Sequence, residues 1–377
     1  MPKPRLDTLI CSSDSAALFG ELCGATSDER RRELENKYQG FALVLPVDAI
    51  EARSRLDSLY EEAKRKLGQE ITASITRIQS GPLPRVITAF PGEFKLGRTL
   101  WQDTLCDMLT GKRTLDGKTI PCTARLSADA ECNELIQREA HILSKLGTDS
   151  QTNDPFHGHF RRYLPTMLGA FTADEADDRN GILLEDLEDF RTLVEVRETY
   201  PDGVEFQTAV WMFNRLLEGL GYIHRQTVVH GGIIPFNVLI HPEDHAAKLI
   251  GWNAAVVDPV RTFDYVRLVH DDFREFYPPE ILEKEPPMPA TDIFMAAKCM
   301  VYILNGDMKT DRMPDEVPDY LRNFLKSCLI ENPYQRPNDA WQVRDEFDQF
   351  MRDHYGPPRY HPFRMPERKP LTEQEED

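Results

Sequence analysis

Residues 228–240 read Val228-Val229-His230-Gly231-Gly232-Ile233-Ile234-Pro235-Phe236-Asn237-Val238-Leu239-Ile240. The apolar residues at both ends predict two short strands, and the residues between them form a loop. His230 and Asn237 are the side chains of this loop that can hydrogen-bond. The stretch contains no acidic residue, and a glycine at position 232 cannot accept a proton. The loop therefore offers no carboxylate that could act as a general base.

Three further motifs follow this loop. They are Tyr277-Pro278-Pro279-Glu280, Asp292-Ile293-Phe294, and a run from Cys328 that ends in Arg336-Pro337. Together with residues 228–240, these motifs resemble the large lobe of the protein kinase family, in which a Glu and an Arg form a buried ion pair and an Asp holds the backbone of the catalytic loop. The resemblance implies an ion pair between Glu280 and Arg336, and loop contacts from Asp292.

From residue 93 to about residue 355, short strands are followed by one helix and then mainly by helices. This order resembles a kinase domain, and the resemblance implies an α+β chain with a two-lobed protein kinase-like fold. The β-rich small lobe is expected at residues 93–188 and the helical large lobe at residues 189–356. Residues 208–225 have apolar side chains along one stripe and are predicted to form the long helix before the loop.

The resemblance also shows which catalytic groups are missing. The kinase loop carries an Asp that accepts the substrate hydroxyl proton and an Asn that holds magnesium, and these positions fall on Gly232 and Asn237. The Asp of the Asp-Phe-Gly motif falls on Gly251. An amide alone is a poor site for Mg²⁺, which prefers carboxylate and phosphate oxygens. We therefore expect Asn237 to hydrogen-bond the loop backbone and no metal to be bound.

The small lobe of a kinase supplies a strand Lys that grips the phosphates and pairs with a helix Glu. Residues 137–143 resemble that helix and place its Glu at Glu139. Counting back along the chain puts the Lys position on Cys122, in a strand predicted over residues 119–124. Arg125 would then lie on the opposite face of a strand with a period of two. Glu139 is predicted to lack its cation unless a neighbour bends in, and the candidates are Arg125, Arg138 and Lys145.

Nucleotide binding is left open by the sequence. Residues 94–103 are similar to the start of a glycine-rich loop with Gly97 alone retained, and the alternative is a β-turn that closes the small lobe. Residues 181–187 are similar to the strand and hinge between the lobes, with an apolar gatekeeper at Leu183 or Leu184. We expect no cofactor, and ATP is the nucleotide to test. The candidate contacts are Leu96, Gly97, Leu184, Glu185, Leu187 and Leu239.

Residues 1–68 are predicted to form a helical domain, because apolar residues such as Leu34 and Tyr38, or Leu56 and Leu59, repeat at helical spacing. Three helices with a Pro-containing connection resemble a J-domain, the co-chaperone module that stimulates an Hsp-type ATPase. Its His-Pro-Asp tripeptide falls on Leu45-Pro46-Val47, so we expect no such stimulation. The alternative is any small helical hairpin domain. Residues 69–92 are interpreted as a linker that adds one or two strands.

Composition narrows the choice of partners. The formal net charge is −18, from 63 acidic and 45 basic residues, and this field repels nucleic acid and anionic membrane surfaces. The seven cysteines include no Cys-x-x-Cys pair, which favours free thiols in a reducing compartment over disulfides or metal ligation. No segment approaches the roughly 18 apolar residues of a membrane span. We expect a cytoplasmic protein with protein partners.

Three functions remain. The kinase Lys, the catalytic Asp and the metal-binding Asp are replaced by Cys122, Gly232 and Gly251. These replacements favour a catalytically inactive pseudokinase that acts as a protein-binding scaffold or regulatory module. The alternatives are an enzyme with atypical ATP-dependent transfer that recruits Asp258 or Asp264, and a chaperone accessory protein that acts through the J-like segment. The segment order resembles bacterial and phage proteins that combine J-domain and kinase-like parts. Residues 357–377, rich in Pro and charge, are expected to be partly disordered.

Overall fold

The structure is a computed structural model that describes residues 18–19, 34, 37–38, 55–56, 58–60, 62–63, 87–89, 92–148, 159–173, 178–357 and 359–368. The chain divides into two compact units. The first comprises residues 1–82, 103–106 and 128–132, and the second comprises residues 83–102, 107–127 and 133–377.

In the first unit, the described residues before position 64 are helical. Their apolar side chains form a core, in which Tyr38 and Tyr60 stack with ring centroids 4.2 Å apart. The positions predicted to share buried faces therefore pack together. Leu45-Pro46-Val47 lies outside the described residues, and the J-domain resemblance stays a prediction. The core residues are Leu18, Phe19, Leu34, Leu56 and Leu59.

The small lobe of the second unit is built on a six-stranded sheet with the order β1-β2-β3-β4-β6-β5. The short strand β1 pairs antiparallel with β2, as expected for the linker. A helix, α1 (Asn133–Thr148), follows β4. The strands are β1 (Ile87–Ala89), β2 (Gly92–Gln102), β3 (Cys106–Leu115), β4 (Lys118–Ser127), β5 (Met167–Ala173) and β6 (Arg179–Leu184).

Strand β4 is buried on both faces over its second half, and its side chains alternate between two environments. Cys122, Ala124 and Leu126 belong to an apolar cluster with Phe94, Leu109, Phe171, Ala173 and Leu183. Thr123 and Arg125 point to the opposite face. This alternation determines which residues of β4 can meet the helix α1 and the hinge.

The large lobe is helical, with short strand pairs beside the loop of residues 230–237. Strand β7 (Arg191–Thr192) pairs with β9 (Val238–His241), which pairs with β10 (Ala246–Leu249), and β8 (Val228–Val229) pairs with β11 (Val256–Val257). The helices are α2 (Leu193–Thr199), α3 (Phe206–Arg225), α4 (Pro259–Thr262), α5 (Pro279–Leu282), α6 (Pro289–Ile303), α7 (Asp319–Cys328) and α8 (Ala340–Tyr355).

Helices α3, α6 and α8 form the core of this lobe. Most of α6 is buried around its whole circumference, as its nearly uninterrupted apolar sequence requires. Helix α8 approaches α3 so closely that a Cβ at Gly221 on α3 would overlap the indole of Trp341 on α8. The predicted helix at 208–225 is thus confirmed in position and begins two residues earlier. In the described part of the chain, no helix combines the length and apolar character needed to cross a bilayer.

Candidate functional site

Asp292, a fully buried residue of α6, holds the loop between β8 and β9 in place. One carboxylate oxygen accepts from the backbone N–H of His230, and the other accepts from the backbone N–H of Gly231, both at 2.8 Å. The ring of His224 lies 2.9 Å from the same carboxylate. Asp292 therefore fixes the loop backbone in the way that the sequence resemblance implied.

His230 is fully buried and uses both ring nitrogens. Nε2 lies 3.0 Å from the carbonyl oxygen of Ile250, and Nδ1 lies 3.3 Å from the backbone nitrogen of Gly232. In the neutral ring Nε2–H can donate while Nδ1 accepts. Burial lowers the pKa of His230 to about 4, so the ring is neutral at pH 7. It organises the loop and is not placed as a proton acceptor for an incoming substrate.

Asn237 closes the loop from its other end. Its side-chain Nδ2 donates to the carbonyl oxygen of Gly232 at 2.9 Å, which is the backbone contact that we expected of this residue. The position of the missing acid is crowded, because a Cβ on Gly232 would lie 3.0 Å from the Cβ of Ala254. The loop thus keeps its shape without a carboxylate at its centre.

Gly251 stands directly against Asn237. Its φ of +77° lies in the left-handed region, and a Cβ at this position would overlap the Asn237 amide group. The residues present do not fit the magnesium ion that protein kinases use, because no carboxylate occupies position 251 and the Asn237 amide fills the adjoining space. Among the described residues, no group of three or more His, Cys, Asp or Glu side chains is arranged to hold a metal.

Glu139 has a cationic partner, which corrects the prediction that it lacks one. Arg125 Nε lies 3.2 Å from Glu139 Oε2, and the two side chains are 2% and 0% exposed. The cation that pairs with Glu139 is therefore Arg125, and Cys122 faces the apolar cluster on the other side of β4. The counting failed because β4 continues to Ser127 and the connection to α1 is short. Burial raises the pKa of the Cys122 thiol to about 11, so this cysteine is a neutral packing residue.

Glu139 also connects α1 to the segment after β10. Its Oε1 accepts from the backbone N–H of Gly251 at 3.0 Å. One residue along the helix, Arg138 donates to the carbonyl oxygen of Ala255 at 2.8 Å. Helix α1 is therefore held against residues 251–255 by two polar contacts. Since the Arg125–Glu139 pair is sealed from solvent, its guanidinium is not presented to a ligand.

The predicted glycine-rich loop is wrong in position. Residues 92–102 form the single strand β2, with register shifts on either side of Thr99. Gly97 lies within the strand and not in a turn, and a Cβ at this position would overlap the hydroxyl of Thr110 on β3. The turn between β2 and β3 lies at residues 103–105, where Asp103 Oδ1 accepts from two backbone N–H groups and no glycine occurs.

The hinge is bonded to the small lobe. The backbone N–H of Leu187 donates to the Thr123 hydroxyl at 2.9 Å, and both residues are fully buried. The carboxylate of Glu185 accepts from the backbone N–H of Thr166 at 2.8 Å and pairs with Lys248 at 2.8 Å. These candidate nucleotide contacts are thus engaged within the chain.

The remaining candidates divide between two environments. Leu184 pairs with Thr123 across the sheet and is fully buried, whereas Leu183 belongs to the apolar cluster, so Leu184 is the better gatekeeper position. Leu239 is fully buried in β9. Leu96 packs against the apolar cluster and does not share the face of Thr123.

The structural ion pair of the large lobe is present. Arg336 donates to Glu280 through two nitrogens, at 2.6 and 2.9 Å, and both side chains are almost completely buried. Thr291 donates to the same carboxylate at 3.0 Å, and the ring of Phe294 lies 4.7 Å below the guanidinium. The geometry is that implied by the resemblance.

Sequence reasoning missed Arg368. The tail was expected to be partly disordered, yet residues 359–368 pack against the lobes, with Phe363 buried between Tyr200 and Trp211. Arg368 reaches the hinge, where its side chain is 8% exposed and pairs with Glu195 at 2.6 Å. The available signal was the presence of the aromatic residues Tyr360 and Phe363 in a Pro-rich, charged segment.

Comparisons with known proteins agree with this architecture. A mitogen-activated protein kinase kinase kinase 17 from Arabidopsis thaliana is 23% identical over 237 residues, which is 56% of this chain and 58% of that kinase. The solved structure of vaccinia related kinase 3 superposes with a TM-score of 0.57 at 17% identity, over 79% of this chain and 99% of that one. No family model matches the chain. The chain has a protein kinase-like fold, with a β-sheet small lobe and a helical large lobe.

Proposed function

We propose that this chain is a catalytically inactive pseudokinase that serves as a protein-binding scaffold or regulatory module. The observation that carries the proposal is the contact between Gly251 and Asn237, because position 251 has no carboxylate and the Asn237 amide lies where a Cβ of residue 251 would be. Gly232 removes the proton acceptor as well. Phosphoryl transfer relies on positioned charge and bound metal, and both are missing from these positions.

Two further contacts support the proposal. Arg125 takes the place of the phosphate-binding Lys, but it is only 2% exposed and pairs with Glu139. The Leu187 N–H, which the resemblance places beside a bound nucleotide, is already satisfied by Thr123. A nucleotide would have to break both contacts in order to use these groups.

Atypical transfer is the alternative, and the acids proposed for it are engaged. Asp264 accepts from Arg267 at 3.1 Å and from the backbone of Tyr265 at 3.0 Å, while Asp258 lies 3.5 Å from Arg261. The first two contacts fix Asp264 within its own short segment. No observation favours this alternative over the scaffold role.

The test is transfer from labelled ATP to the protein itself and to a general substrate protein, with Mg²⁺ or Mn²⁺ present. We expect no incorporation. Mass spectrometry of the incubated protein distinguishes a transferred phosphate from a transferred nucleotide. Metal-dependent transfer that disappears in Asn237→Ala would overturn the proposal, because Asn237 would then be a metal ligand and not a loop brace.

Thermal shift with ATP, ADP and GTP, with and without divalent metal, tests the cleft directly. A ligand at about a hundred times its Kd stabilises a protein by about 2.7 kcal/mol. We expect no shift. For the first unit, a chaperone ATPase assay with the full chain separates the roles: increased hydrolysis would favour a chaperone accessory protein, and unchanged hydrolysis is the expected result.

A further inference from the structure

The C-terminal segment 359–368 lies across the hinge of the second unit and contacts both lobes. On the large-lobe side it is anchored by aromatic contacts. The ring of Tyr360 stacks on His245 at 4.6 Å, and Phe363 stacks on Tyr200 at 5.3 Å. The hydroxyl of Tyr200 donates to the carbonyl oxygen of Arg364 at 2.6 Å, which fixes the backbone between these anchors and the hinge.

Arg368 is the last described residue of this segment, and its side chain donates four hydrogen bonds. Its Nε donates to the Glu195 carboxylate at 2.6 Å and its Nη1 donates to the carbonyl oxygen of Glu188 at 2.8 Å. Its Nη2 donates to the carbonyl oxygen of Phe190 at 2.5 Å and to the second carboxylate oxygen of Glu195 at 3.1 Å. These acceptors belong to the residues that follow the hinge and to α2.

The same guanidinium also reaches the small lobe. It lies 5.6 Å from the ring centroid of Trp101 on β2, within the range of a cation–π contact. A second link runs in parallel, because Arg98 on β2 pairs with Glu188 at 2.7 Å. The Arg98 pair is 42% exposed on both sides, whereas Arg368 is almost enclosed, so the Arg368 contact is screened less by solvent and salt.

The arrangement brings like charges together. One cation that interacts with Arg368 is Arg191, whose pKa is lowered by burial and by the neighbouring Arg368. Placing a guanidinium beside another one costs free energy that the acceptors at Glu188, Phe190 and Glu195 must offset. The position of Arg368 therefore depends on a specific set of hydrogen bonds and not on general attraction to an acidic surface.

We propose that residues 359–368 are an intramolecular strap that holds the two lobes together at the hinge, with Arg368 as its latch. While the latch is closed, the Arg368 guanidinium lies between Trp101 of the small lobe and Glu195 of the large lobe. Release of Arg368 frees the small lobe to move and opens the cleft. The inference goes beyond the proposed function, because it holds whether or not the cleft transfers phosphate.

The test compares full-length Arg368→Ala with full-length Arg364→Ala by hydrogen–deuterium exchange. Arg364 is an exposed arginine of the same segment, and its backbone oxygen, not its side chain, contacts Tyr200. The Arg364→Ala variant therefore loses the same positive charge but keeps the contacts of Arg368. In Arg368→Ala we expect exchange of residues 187–195 and 99–102 to rise about tenfold, equivalent to about 1.4 kcal/mol. Helix α6 reports whether the fold is intact and should exchange at an unchanged rate.

Arg368→Lys adds a second discrimination. It keeps the charge but cannot span Glu188, Phe190 and Glu195 together, so it should behave like Arg368→Ala. Equal exchange in Arg368→Ala and Arg364→Ala would overturn the strap. An Arg368→Ala protein that gained phosphate transfer would overturn the proposed function and leave the strap standing, so the two ideas can fail separately.

Discussion

The side-chain amide of Asn237 occupies the space that a Cβ on Gly251 would need. In protein kinases the corresponding positions both carry metal ligands. Here the two residues fit each other, and a side chain at position 251 would require the Asn237 amide to move. A loss of one ligand could be reversed by a single substitution, whereas this fit makes the simple reversion unfavourable.

We therefore predict that Gly251→Ala and Gly251→Asp lower the free energy of unfolding by about 2–4 kcal/mol, through the left-handed backbone and the overlap together. Gly117→Ala is the matched control, because Gly117 also has a positive φ of +73° but nothing lies within 4 Å of its added Cβ. It should cost only about 1 kcal/mol. Denaturant unfolding measures both. Equal losses at the two positions would show that Asn237 moves aside freely.

The buried pair of Arg125 and Glu139 gives a second prediction. Arg125→Met or Glu139→Gln leaves one buried charge without its partner, and each should cost about 3–5 kcal/mol. The double variant should cost less than the sum of the single variants. The exposed pair Arg98 and Glu188 is the comparison, and the same substitutions there should cost less than about 1 kcal/mol. Additive losses at Arg125 and Glu139 would mean that the two charges are not coupled.

The hinge hydrogen bond can be tested at Thr123. Thr123→Val keeps the shape but removes the acceptor of the Leu187 N–H, which should cost about 1–3 kcal/mol and speed exchange of that amide. Thr123→Ser keeps the hydroxyl and should preserve the protection. Amide exchange followed by NMR reports on Leu187 directly. Protection that survives Thr123→Val would show that another group satisfies this amide.

His230 makes stability depend on pH. Its pKa falls from 6.5 to about 4 on folding, so below pH 6.5 the unfolded chain binds a proton that the folded chain does not. The free energy of unfolding should decrease as the pH falls from 6.5 towards 4, with a slope of up to about 1.4 kcal/mol per pH unit from this group. His230→Gln does not titrate and should show a shallower slope. Parallel pH profiles for the two proteins would contradict this account.

The architecture could be predicted from the sequence because its signals are local or periodic. The apolar runs around His230, the stripe over residues 208–225 and the motifs at Glu280, Asp292 and Arg336 kept their order and spacing. Each of them reports either a buried face or a buried pair, and the fold depends on these features. The kinase-like lobes follow from that pattern.

The small-lobe site could not be predicted in the same way. Residues 122–127 do alternate apolar and polar side chains, which puts Cys122 and Arg125 on opposite faces, but the alternation does not show which face meets α1. The choice of Cys122 rested on counting along the chain, and the count ended the strand at residue 124, whereas β4 continues to Ser127. Gly97 looked like a turn because a glycine within a strand has the same sequence signal as one that ends it. Arg368 was missed because its partners lie far away in the chain.

Asp292 fixes the loop at His230 and Gly231 through two backbone N–H groups, and residues 228–235 are themselves buried. The loop is therefore part of the core of the large lobe, and its geometry should persist for as long as α6 stays folded. Substitutions of exposed residues elsewhere on this lobe can alter the surface that the protein offers to a partner without disturbing the loop.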